Sequence, residues 1–109
     1  MKRYCLTLDL KDDAVLIAEY EAYHRAVWPE IMESITRSGI ISMAIYRYGV
    51  RLFMIMETGD EFSFEHKAAM DAGNQKVQEW EELMWKYQQP VSGAAAGEKW
   101  VLMDNIFEL

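Results

Sequence analysis

Tyr20, His24 and Trp28 follow one another at intervals of four, and Pro29-Glu30 come at once after them. Residues at i, i+4 and i+8 of one helix share a face, so a phenol, an imidazole and an indole would line one wall of a site. Such a wall offers a proton donor, a proton shuttle and an apolar plate. Imidazole suits a group that takes and gives protons near neutral pH. Pro29 has no N–H for the carbonyl of Arg25, and its ring crowds that turn. The helix is therefore expected to kink or restart beside His24. By residue type alone, His24 is either an acid/base group or a partly buried histidine bonded to a carbonyl.

Other chemistry finds less support. Glu21 and His24 form a Glu-x-x-His pair, the spacing of di-iron helical bundles. Such a site needs a second copy and further glutamates, and only one copy is present. Glu65 and His66 are neighbours and point to different helix faces. No metal site is expected. No phosphate-binding glycine loop and no Gly-x-Ser-x-Gly occurs, so nucleotide binding and serine hydrolysis have no motif. Asp60-Glu61 with Glu65 reads as a solvated turn, and Glu79, Glu81 and Glu82 as the outer face of a helix.

Trp80, Trp85 and Tyr87 form a second aromatic set. Val77, Trp80, Met84 and Tyr87 keep near-helical spacing, as a core stripe would. Four tryptophans in 109 residues exceed what a small core needs, and aromatic faces stack well on the C–H face of a sugar. Met43, Met54 and Met56 read as core or barrel lining that could also touch a ligand.

The elements that must position these groups follow from periodicity. Residues 3–9 alternate, with Tyr4, Leu6 and Leu8 on one side, as a strand does. Asp12 or Asp13 caps a helix that runs to Gly39. Ile40–Tyr48 and Arg51–Thr58 form a hairpin about Gly49-Val50. The second of these strands is apolar on both faces, so both must be covered. Residues 64–88 read as a helix interrupted near Gly73-Asn74, and Gln89-Pro90 stop it. Residues 91–97 are a small-residue loop, and 100–108 the last strand. This order, β-α-β-β-α-β, is the ferredoxin-like α+β arrangement, with a four-stranded antiparallel sheet and both helices on one face. A homodimer packed sheet on sheet would cover the other face and make a dimeric α/β barrel.

The bulk numbers allow one domain over residues 1–109. A net charge of −7 disfavours nucleic acid and anionic membranes. Cys5 is the single cysteine, so no disulfide forms within the chain. No apolar run approaches the roughly 20 residues that span a bilayer. The N-terminus reads as a strand rather than a signal peptide, so a cytoplasmic location is expected.

The run Tyr20-Glu21-Ala22-Tyr23-His24-Arg25-Ala26-Val27-Trp28-Pro29-Glu30 resembles the signature of the L-rhamnose mutarotase family, Tyr-x-x-x-His-x-x-x-Trp-Pro-Glu. Ala44-Ile45-Tyr46 matches a segment of that family, and Asn105-Ile106-Phe107-Glu108-Leu109 is similar to its closing strand. The resemblance implies a dimeric α/β barrel that interconverts sugar anomers with no metal or cofactor. The partner is then a 6-deoxy monosaccharide, L-rhamnose first and L-fucose next. It implies His24 as the acid/base group, Tyr20 as its sugar-contacting companion, and Trp80 as the first of two adjacent family tryptophans. Glu81 holds the second of those positions, and Trp85 is the residue that could take over its stacking. Met43 stands where the rhamnose enzymes tend to carry a tyrosine. The implied sugar contacts are thus Tyr20, Trp80, Glu81, Met43 and Trp85. Two other readings fit the same scaffold: a cofactor-free monooxygenase or haem-degrading enzyme, and a non-catalytic sugar-binding module.

Overall fold

A computed structural model describes residues 1–109. β1 (Lys2–Leu10) is the centre of an antiparallel sheet. It pairs along its length with β3 (Arg51–Thr58), which pairs in turn with β2 (Ile40–Tyr48). The hairpin between β2 and β3 turns at Gly49, whose φ of +60° suits a residue without Cβ. A bulge at Ile41 shifts the register, so Ile40 faces Thr58 and Ser42 faces Glu57.

The fourth strand of the expected fold is present in two short pieces. β4 (Gln88–Gln89) pairs with Asp9 and Leu10, and β5 (Val101–Leu102) with Leu6 and Thr7. Between them the chain leaves the sheet over residues 90–100. The closing strand expected over 100–108 is corrected to two residues. Met103 N–H still reaches the Cys5 carbonyl at 2.8 Å, and beyond it nothing in the chain pairs. Ile106, Phe107 and Leu109 are almost wholly exposed.

Each crossover is a pair of helices rather than one. The first is α1 (Ala14–His24) and α2 (Pro29–Arg37). The Asp13 carboxylate caps α1, accepting from the Val15 and Leu16 amides. Proline disfavours α geometry in the residue before it, and Trp28 is extended (φ −56°, ψ 135°). Pro29 then opens α2 at a position where no N–H is needed. The expected restart is complete. Trp28 is not on the helix that carries Tyr20 and His24; it is the N-cap of the next one. The second crossover is α3 (Phe64–Ala72) and α4 (Gln75–Trp85), broken at Gly73-Asn74 as expected. The Asn74 side chain caps α4 by accepting from Lys76 and Val77 N–H.

Leu6, Leu8 and Leu10 of β1 and Leu52, Met54 and Met56 of β3 face the helices and are buried. Fully burying each such side chain contributes about 1.5–3 kcal/mol. The other face carries Cys5, Ala44, Tyr46, Phe53 and Ile55, and no element of the chain covers it. No helix is long and apolar enough to cross a membrane.

Candidate functional site

The broken crossovers do not close down on the sheet. They leave a cavity of about 720 Å³ between helices and strands, within the usual range for small-molecule sites. Leu6, Met43, Ile45, Met54 and Met56 form its floor, and all four helices contribute to its roof. The lining is largely apolar, with His24, Tyr20 and Gln88 in one polar group and Ser34, Lys67 and Asp71 in another. His24 and Tyr20 also border a smaller cleft of about 250 Å³, beside Arg25 and Arg47.

His24 is the last residue of α1 and is half-buried. Its Nδ1 lies 2.8 Å from the Tyr20 carbonyl oxygen. A carbonyl only accepts, so Nδ1 carries the proton in this bond. In the neutral ring Nε2 is then the bare, basic nitrogen. The backbone carbonyl of Tyr20, and not its phenol, therefore sets the tautomer.

The Tyr20 ring stacks obliquely beside the imidazole, with centroids 4.3 Å apart. Its hydroxyl accepts from Gln88 Nε2 at 3.2 Å. Burial pushes the phenol above its ordinary pKa, and the Gln88 bond only partly opposes this. Tyr20 stays protonated, with one lone pair taken and its own proton left for an acceptor in the cavity. The Gln88 amide is itself incompletely paired: Oε1 is buried and has no partner.

Trp80 packs edge-on against His24 at 5.7 Å and against Trp28 at 5.1 Å. Trp28 does not line the cavity. It fastens the start of α2 to Trp80, with Lys76 Nζ 5.9 Å from its ring. Glu81 and Met43 both line the cavity. Trp85 does not. It is more than a third exposed, and Lys99 Nζ lies 5.0 Å from its ring. The same ammonium donates to the Glu81 carbonyl at 3.0 Å, and burial lowers its pKa. Lys99 and Trp100 thus bring the end of the 90–100 excursion to the cavity wall.

Gln88, Ser34, Lys67, Asp71, Lys99 and Trp100 were not singled out from the sequence. A signal was present for two of them. Ser34 stands between Ile31 and Ile35, and Asp71 stands four residues after Lys67, on the faces that their helices bury. No three His, Cys, Asp or Glu side chains converge as a metal site would require.

The description "L-rhamnose mutarotase" belongs to a family model that matches residues 3–109. An L-fucose mutarotase of Xanthomonas campestris pv. campestris is 48% identical over 111 residues, covering 100% of this chain and 89% of that protein. Among solved structures, an L-rhamnose mutarotase from Formosa agariphila superposes with a TM-score of 0.72 at 16% identity, over 100% of this chain and 99% of the other. A dimeric ferredoxin-like protein from an uncultured marine organism gives 0.53 at 10% identity, over 98% and 90%. At such identities the two structures speak for the fold.

Proposed function

Because the chain belongs to the L-rhamnose mutarotase family, we propose that it interconverts the α and β anomers of a 6-deoxy-hexose with His24 as the acid/base group. The isomerase class follows from the family. L-fucose stands ahead of L-rhamnose as substrate, since the relative at 48% identity is named for L-fucose.

One observation carries the role of His24: its Nδ1 is fixed on the Tyr20 carbonyl inside the cavity, so the imidazole offers Nε2 as a base. Anomer exchange opens a hemiacetal and closes it on the other face. Nε2 takes the proton of the anomeric hydroxyl as the bond from C1 to the ring oxygen breaks. The ring oxygen takes up a proton, supplied by the imidazolium just formed or by the Tyr20 hydroxyl. Rotation about C1–C2 presents the other carbonyl face, and the reverse transfers close the ring. Positioned acid/base help of this kind contributes roughly 10²–10⁴-fold.

His24→Ala should slow anomer exchange of L-fucose and L-rhamnose at least tenfold, read by NMR saturation transfer, with an unchanged circular dichroism spectrum. Unchanged rates in the variant would remove His24 from the mechanism.

A homodimer is part of the same reading. The uncovered sheet face with Tyr46, Phe53 and Ile55, and the exposed Ile106, Phe107 and Leu109, support association with a second copy. A cytoplasmic setting suits the lone free cysteine, Cys5.

A further inference from the structure

We propose that Ser34, Lys67 and Asp71 form a hydroxyl-reading subsite that grips the sugar at O4 and thereby decides between L-fucose and L-rhamnose; this rests on the anomer-exchange reading above. The three residues come from two helices. Phe64, Lys67, Ala68 and Asp71 lie on one face of α3, at i, i+3, i+4 and i+7, and this face lines the cavity. Ser34 reaches it from α2.

Asp71 is buried, and its carboxylate is unevenly satisfied. Oδ2 accepts from Lys67 Nζ at 2.6 Å. Oδ1 has only the Ser34 hydroxyl, at 3.5 Å, the outer limit of a hydrogen bond. A carboxylate accepts up to about four hydrogen bonds, so Oδ1 keeps lone pairs for an incoming hydroxyl. Lys67 has further N–H groups and Ser34 a rotatable one, both able to donate to the same hydroxyl's oxygen. An acceptor with two donors beside it is the pattern that a sugar hydroxyl satisfies. Lys67 neutralises Asp71, so the cluster suits an uncharged ligand rather than a cation.

Stability gives this pair little reason to be there. Replacing a buried ion pair by well-packed apolar side chains is often neutral or stabilising. The cavity wall is otherwise largely apolar, with Phe64, Ile35 and Met56 in its lining. Ser34 lies six residues beyond Trp28 on α2, about 9 Å along the axis at 1.5 Å per residue. Trp28 packs on Trp80, and Trp80 on His24. His24 on α1 and Asp71 on α3 line the same cavity. With C1 of a pyranose at His24 and its far side at Asp71, the carbon that meets Asp71 is C4, which lies across the ring from C1. L-fucose and L-rhamnose differ in configuration at C2 and C4, so a group that holds O4 separates them.

The test is anomer exchange by NMR saturation transfer across a concentration series of L-fucose, L-rhamnose and 4-deoxy-L-fucose. On the wild-type protein, removing O4 should raise KM at least tenfold. Asp71→Asn should raise KM for L-fucose at least tenfold with kcat within threefold, because a contact made equally in ground and transition states acts on KM. In that variant 4-deoxy-L-fucose should be no more than threefold worse than L-fucose. The double variant Lys67→Met/Asp71→Leu provides a folding control: it should melt no lower than wild type and still lose affinity. If the wild-type protein exchanges L-fucose and its 4-deoxy analogue equally well, the subsite is overturned and the functional reading stands. KM within twofold of wild type in both variants has the same meaning. A wild-type protein that exchanges neither natural sugar overturns the functional reading, and the subsite with it.

Discussion

Tyr20→Phe removes one oxygen and should cost more than an ordinary hydrogen bond. That hydroxyl is the only partner of the Gln88 side-chain amide, through Nε2 at 3.2 Å. Oε1 of the same amide already lacks a partner. If the amide is turned over, Oε1 accepts from the phenol and Nε2 is left over, so one amide atom is unpaired either way. Without the phenol oxygen, both are unpaired in a side chain that is 5% exposed. Leaving a buried polar group unsatisfied costs about 1–3 kcal/mol. In a domain of this size the melting temperature falls by about 4–8 °C for each kcal/mol. Gln88→Leu removes the orphaned amide. The double variant Tyr20→Phe/Gln88→Leu should therefore lie within about 1 kcal/mol of wild type, because apolar replacement of both partners is nearly neutral. The single and double variants should be compared by urea denaturation at one protein concentration. A double variant no more stable than Tyr20→Phe would show that the stranded amide is not the source of the loss.

Two further outcomes separate neighbouring side chains. Trp80→Ala should cost about 3–5 kcal/mol and abolish sugar binding by calorimetry, since Trp80 is buried against His24 and Trp28. Trp85→Ala should cost under about 1 kcal/mol, the scale of an exposed cation–π contact, and change KM less than threefold; a large loss of sugar affinity would return Trp85 to the site. The Tyr87 phenol is pushed up to about 12, first by burial and then by its hydrogen bond to the Glu19 carboxylate. Its value in the unfolded chain is about 10. Both states hold the proton below pH 10, so the contribution of Tyr87 is intact there. Between pH 10 and 12 the unfolded chain loses its proton first, and stability should fall. Glu19→Gln should narrow that window from above, read as denaturation midpoints at pH 9 through 12.

The site was half legible in the sequence, and the reason is local geometry. Tyr20 and His24 share one helix, so their spacing alone places them together. Pro29 announced the break that puts His24 at a helix end. The other polar group depends on packing: Ser34 comes from α2, and Lys67 and Asp71 from α3. No periodicity links residues 37 positions apart. A serine between Ile31 and Ile35 on a buried face was the available clue, since a polar residue there needs a partner. Gln88 gave no clue, because a glutamine after Tyr87 reads as a solvated helix end. Trp85 shows the opposite relation between resemblance and packing. Resemblance placed it beside the sugar, but α4 ends there and the Lys99 loop lies over it. The last strand is shorter than expected because an apolar run such as Trp100–Met103 only favours extended backbone, and a partner strand is needed to turn that into sheet.

The 90–100 excursion gives this edge of the molecule an unusual freedom. β4 and β5 hold β1 through two separate clamps, at Asp9-Leu10 and at Leu6-Thr7. The length of chain between two fixed clamps can change at small entropic cost, since each doubling of a loop adds only about 0.6 kcal/mol. Insertions here would leave the sheet register untouched while changing which side chains follow Lys99 and Trp100 to the cavity. The His24 corner on α1 has no such latitude, because one added residue would carry His24 a third of a turn away. Within one fold, then, one wall is built to stay and another has room to vary.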